Sequence, residues 1–178
     1  MSGRGPGRNS RHTGPRGLKN WASRATKTSS ASSTRGGYRS SMRVVLDTNV
    51  LVSALLFGGK PSRIVELAKD GLIELVVSLF ILTEFEEKLK SKFGYTTRGA
   101  REAGADIEVI SRLIHPKSRI HAIERKDSDN RILECAVDAG AQALVTGNMK
   151  DLRPLGSFQG VEILTPAEFL ARYSFKDA

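Results

Sequence analysis

The stretch Arg43 to Val52, RVVLDTNVLV, limits what this chain can fold into more than any other part of it. Val44, Val45 and Leu46 are apolar without a break, and such a run fits a strand buried on both faces. Asp47 ends the run, Thr48 and Asn49 follow, and Val50 to Phe57 reads as an apolar helical stretch. Open α/β sheets gather their ligands outside the carboxyl ends of the strands. An acid at that place in the first strand marks Asp47 as the start of a metal site that later acids would complete.

From Met42 onward, strand and helix patterns alternate. The pattern predicts a strand over 43–47, a helix near 49–57 and a turn from Phe57 to Lys60. Pro61 stands at the first position of the next helix, which Gly71 ends. Ile73 to Val77 reads as a strand, and Ser78 as the cap of a helix carrying Leu79, Ile81, Leu82 and Phe85. Glu86 to Lys90, at the far end of that helix, reads as a solvated charged face. A helix over 98–114, stopped by Pro116, and a short strand from Ile120 to Ile123 come next. Asp127-Ser128-Asp129 opens a helix that Gly140 ends, Ala143 to Thr146 is a strand, and 147–152 is a turn. Gly160 to Leu164 is the last strand, and Thr165-Pro166-Ala167-Glu168 is a capping box opening a terminal helix to about Tyr173. The alternation predicts an α/β fold, a central parallel sheet of about five strands covered on both faces.

Polar groups recur where strands end or helices begin: Asp47, Glu84, Asp127 and Asp129, then Asn148 and Asp151, with Asn49 and Thr146 beside two of them. Each has an ordinary explanation. Asp47, Asp127 and Asp129 suit helix caps, and Glu84 suits a charged helix face. Taken together they suggest more. Clustered carboxylates are stable only if some protonate or a cation sits among them. Hard oxygen donors favour Mg²⁺ or Mn²⁺ over zinc, and such ions suit phosphodiester hydrolysis.

The net charge of +9 is confined to one end. Residues 1–41 hold nine Lys or Arg and no acid, while the other 19 Lys and Arg are balanced by all 19 Asp and Glu. This Gly-, Ser- and Arg-rich segment has no sustained apolar periodicity and reads as a disordered basic tail. It suits a solvated tail, a misplaced start codon with translation beginning at Met42, an aid to RNA binding, or a targeting peptide. Residues 42–178 read as the folded domain. The single Cys135 excludes an internal disulfide framework and a Cys-rich zinc site, and reads as a packing residue. No apolar run is long enough for a membrane helix, and a reducing cytoplasm is compatible with the cysteine content.

DTNVLVSALL at 47–56, SLFILTEFEEKL at 78–89, DSDNRILECA at 127–136 and VTGNMKDL at 145–152 together resemble the PIN-domain ribonucleases. In order and spacing they resemble the VapC-like toxin components of prokaryotic toxin–antitoxin systems. The resemblance covers about residues 42–170. It implies a PIN-like three-layer α/β/α fold and Mg²⁺- or Mn²⁺-dependent endonucleolytic cleavage of RNA. Asp47 resembles the first acid of the family with Asn49 as its polar neighbour, Glu84 the second, and Asp129 the third, ahead of Asp127. Thr146 resembles the threonine of the last motif. The chain departs from the family where an acid is common two residues after that threonine, for Asn148 stands there. Asn148 can ligate through its carbonyl oxygen without bringing charge, and Asp151 lies three residues on. The resemblance also implies a homodimer and an antitoxin that covers the acidic cleft.

Other α/β chemistries lack their signatures. Neither G-x-G-x-x-G nor a P-loop follows the first strand. Asn49 occupies the place of the second aspartate that a haloacid-dehalogenase-type phosphatase needs, and the acids are distributed differently from those of a response-regulator receiver. The three histidines, His12, His115 and His121, form no nucleophilic set and read as tail, surface or cap residues. The alternative from another class is a non-catalytic PIN module that binds RNA or a protein.

Overall fold

β1 (Met42–Leu46) runs through the middle of a six-stranded sheet. The structure, a computed structural model, describes residues 42–124 and 126–173. The basic tail expected over 1–41 lies outside these. Val44, Val45 and Leu46 have no solvent exposure, as a strand covered on both faces requires. β1 pairs in parallel with β2 (Ile73–Ser78) on one side and β4 (Ala143–Val145) on the other. β3 (Ser111–Ile114) adds beyond β2, and β6 (Val161–Leu164) beyond β4, both parallel.

The helices are α1 (Thr48–Leu56), α2 (Gly59–Lys69), α3 (Leu79–Phe93), α4 (Thr97–Val109), α5 (Asp127–Asp138) and α6 (Pro166–Arg172). The chain builds outward from β1 to β3, then crosses back to β4. Right-handed crossovers in opposite directions along a parallel sheet place their helices on opposite faces. α5 accordingly packs against β1, β2 and β4, while α1 packs with α2 and α3, and α2 with α6. The result is a three-layer α/β/α fold whose direction reverses between β1 and β4.

The structure differs from the sequence reading at four places. The helix expected over 98–114 ends at Val109, and residues 111–114 become β3. Ile110, Leu113 and Ile114 satisfy a helical period, but pairing with β2 satisfies that strand's backbone, with Leu75 opposite Ser111 and Ser78 opposite Ile114. Ile120 to Ile123 is not a strand, although Ile120 and Ile123 are buried. Side chains of α5 replace the ladder: Glu134 Oε1 accepts the Ile120 N–H at 3.0 Å, and Asn130 accepts from Ile123 N–H at 2.9 Å and donates to its carbonyl at 2.8 Å. α2 begins at Gly59, two residues before Pro61. The sheet also gains a sixth strand, β5 (Ser157–Phe158), antiparallel to β6 across a turn at Gln159 and Gly160 whose φ values of 47° and 85° suit a two-residue hairpin.

Cys135 is buried, and desolvation pushes its thiol up to about 12, so it packs rather than reacts. His115 and His121 are exposed. The capping box at α6 is complete, and Arg153 Nη2 donates to Glu168 Oε1 at 2.6 Å.

Two outcomes follow from these contacts. Asn130→Ala orphans the buried N–H and carbonyl of Ile123 and is expected to lower the unfolding free energy by about 2 kcal/mol in a denaturant titration. The Arg153 guanidinium, with backbone help from Thr165, holds Glu168 down at about 2 from an ordinary 4.5. A carboxylate depressed in the folded state adds stability above its unfolded value and loses it as pH falls through the folded one. Glu168→Gln is therefore expected to flatten the stability profile between pH 4.5 and 2, read from thermal midpoints against pH.

Candidate metal centre

Asp47 stands directly after β1 and is 2% exposed. Its backbone N–H extends the ladder to the Val145 carbonyl at 2.9 Å, and its Oδ1 accepts the Asn49 N–H at 3.1 Å as the cap of α1. The other oxygen accepts a hydrogen bond of 2.7 Å from Thr146 Oγ1, just after β4. Thr146 Oγ1 in turn accepts the Asn148 N–H at 2.9 Å. The carboxyl ends of β1 and β4 are thus joined by side chains at the point where the sheet reverses direction, the usual place for a ligand crevice in such sheets.

Glu84 enters from α3. Thr48 Oγ1 donates to its Oε2 at 2.5 Å, and Lys88 Nζ lies 3.1 Å from its Oε1. Lys88 also donates to Asn49 Oδ1 at 3.1 Å. Asp129 comes from the first turn of α5 and is 6% exposed. Burial pushes its carboxyl upward; Lys126 opposes this, while Asp47, Asp151 and Glu84 push it further up. All four acids therefore share one electrostatic site. Asp127 does not join them: its side chain is 68% exposed and pairs with Arg131 at 3.2 Å.

Asn148 makes a specific set of contacts. Its Oδ1 accepts the N–H groups of Lys150 and Asp151, each at 3.1 Å, which fixes the orientation of the amide. The Nδ2 then faces two acids, donating to Asp129 at 2.9 Å and to Asp151 at 3.2 Å. In this arrangement the residue offers carboxylates a donor, and its carbonyl is engaged by the backbone. Lys126 Nζ also donates to Asp151 and lies 4.0 Å from Asp129. Lys126 and then Asn148 hold the Asp151 carboxyl below the usual carboxylate range.

Among the described residues, no three His, Cys, Asp or Glu side chains form a ready metal cage. The contacts explain this: Glu84 leans to Lys88, Asp151 to Lys126, and Asp47 to Thr146. The donor set nevertheless fits a hard divalent ion, for it is made of carboxylates around the mutually repelling Asp129. Thr48, Lys88 and Lys126 are the participants the sequence reading missed. Lys88 lies four residues after Glu84, a helical pairing distance, but its run of charged neighbours reads as a solvated face; its side chain is only 19% exposed. Lys126 carried no signal except its place ahead of Asp127.

The PIN domain family model matches residues 43–150. No curated protein matches the sequence. Among solved structures, a chain of VapBC2 from Rickettsia felis, bound to a DNA fragment from its promoter, is 20% identical with a TM-score of 0.51, covering 68% of this chain and 98% of that one. A chain of VapBC-1 from nontypeable Haemophilus influenzae is 17% identical with a TM-score of 0.53, covering 71% and 99%. These likenesses agree in fold with the sheet order and crossovers described above. With the family model spanning more than half of its length, the chain belongs to the PIN domain family.

Proposed function

We propose that this protein is a metal-dependent endoribonuclease that hydrolyses RNA phosphodiester bonds as the toxin component of a toxin–antitoxin system. One observation carries the reading: hydrogen bonds through Thr146 and Asn148 join Asp47, Asp129 and Asp151 at the switch point of a PIN-family sheet. Asp47, Glu84 and Asp129 would hold Mg²⁺ or Mn²⁺, with Asp151 or Asn148 completing the shell. A bound ion supplies Lewis acidity toward a phosphoryl oxygen and a hydroxide from water at neutral pH.

The chain's own residues prepare that site. Thr146 fixes one Asp47 oxygen, and Thr48 fixes one Glu84 oxygen. Asn148 holds Asp129 and Asp151 on a single amide. Lys88 and Lys126 offset the clustered negative charge. The toxin role is supported by the two VapBC assemblies among the similar structures. It brings with it a protein antitoxin over the acidic cleft, pairing of two copies, and a cytoplasmic setting. No described helix is long and apolar enough to cross a membrane.

A second reading, a non-catalytic PIN module binding RNA or a protein, is favoured by the uncharged amide at position 148, which donates to Asp129. Cleavage assays separate the two. Asp47→Asn is expected to abolish Mn²⁺-dependent RNA cleavage while circular dichroism and thermal unfolding show a folded protein. Full activity in that variant, or cleavage persisting in excess chelator, would overturn the nuclease reading. Asn148→Asp removes the amide donor and adds a charge to the cluster. Its expected result is a lower thermal midpoint without metal than the parent chain, and a larger rise in midpoint when Mn²⁺ is added.

A further inference from the structure

A cleft of about 590 Å³ opens beside the acids, between α1, the start of α2 and the loop after β4. Its size lies within the range of ligand clefts. It is continuous with the acid cluster, because Lys126 and Asn148 line it and both hydrogen-bond to Asp151. Its composition is two-sided. Lys126 and Lys150 provide ammonium groups, while Val50, Pro61, Met149 and Pro166 provide apolar surface. No acid lines it, which sets it apart from the cluster next door. Lys150 is exposed and adds its charge to that of Lys126 beside Asp151, and Met149 is 62% exposed.

We infer that this cleft is a nucleotide subsite of the nuclease, seating one nucleotide of a single-stranded RNA next to the scissile phosphate. Lys150 and Lys126 take the phosphate oxygens, and the base lies on the apolar surface presented by Met149 and the two prolines. The division of labour follows from charge. A polyanion is repelled by four carboxylates, so a strand that must cross them needs cations immediately to one side. Lys126 is placed for this at the border, within reach of both Asp151 and the cleft. Lys150 is placed farther along the loop. The apolar patch contributes without reading an edge of the base, so the subsite accepts any of the four bases through their faces. The inference rests on the nuclease reading of the acid cluster, and it names how the substrate lies against that cluster.

The test uses the full chain and a single-stranded RNA oligonucleotide of mixed sequence, with binding measured in chelator so that no cleavage occurs. Lys150→Gln is expected to weaken binding about 3- to 10-fold and to reduce the slope of log affinity against log salt by about 0.7, the share of one phosphate contact on a single strand. Met149→Ala leaves the charge alone, and is expected to weaken binding with the slope unchanged. Both variants are expected to keep the parent's Mn²⁺ affinity by calorimetry. The basic segment at 1–41 is common to all three proteins, so differences among them report on the cleft. Unchanged RNA affinity in Lys150→Gln overturns the subsite, as does a Met149→Ala variant that binds like the parent. If the parent cuts no RNA with Mn²⁺ while both variants still lose binding as described, the nuclease reading fails and the subsite stands as an RNA-binding cleft.

Discussion

The hydrogen bond from Thr146 to Asp47 ties together the two strands on which the site depends. β1 and β4 are neighbours only because the chain, having built outward from β1 to β3, returns across the opposite face through α5. That reversal leaves a crevice at their carboxyl ends. Asp47 is buried there, and a buried carboxylate needs its oxygens satisfied. One oxygen caps α1 and the other takes the Thr146 hydroxyl. The same hydroxyl accepts from the Asn148 backbone, which starts the turn that presents the Asn148 amide to Asp129 and Asp151. A chain of hydrogen bonds thus runs from the first acid to the last.

Electrostatics sets the rest of the arrangement. Four carboxylates at one sheet edge cannot all remain charged without compensation. Two lysines supply it, Lys88 against Glu84 and Lys126 against Asp151. Glu84 and Asp151 are drawn toward these lysines and Asp47 toward Thr146, which keeps the acids from closing into a cage. A divalent ion placed among them would compete with these ammonium groups for the same oxygens. Asn148 fits that balance. An amide adds a donor where another carboxylate would add to the repulsion, which makes the residue a stabiliser of this arrangement without metal.

The parts of the fold legible in the sequence were those set by uninterrupted or periodic apolar residues with clear boundaries. Val44 to Leu46 identified β1, Ser78 the start of α3, and Thr165 to Glu168 the start of α6. Illegible segments were those where apolar residues were buried by a different backbone. Ile110, Leu113 and Ile114 fit a helix as well as a strand, and only the open edge of β2 decided between them. Ile120 and Ile123 are buried through the side chains of Glu134 and Asn130, which no local pattern reveals. At the candidate site, Asp47 and Asp129 stand out in the sequence by following a strand and opening a helix, while Glu84, inside its helix, stands out through the family resemblance. The lysines do not, because a lysine in a charged run looks the same whether it faces water or a carboxylate. The direction of the Asn148 amide depends on the turn in which its Oδ1 accepts from Lys150 and Asp151 N–H, which no local pattern reveals.

Asp47 and its neighbours are proposed to form a divalent-cation site. Calorimetric titration with Mn²⁺, performed on the parent chain and on Asp47→Asn, tests it without reference to any RNA. Saturable binding by the parent, lost in the variant, is the expected result. No binding by the parent, or equal binding by both proteins, would contradict it.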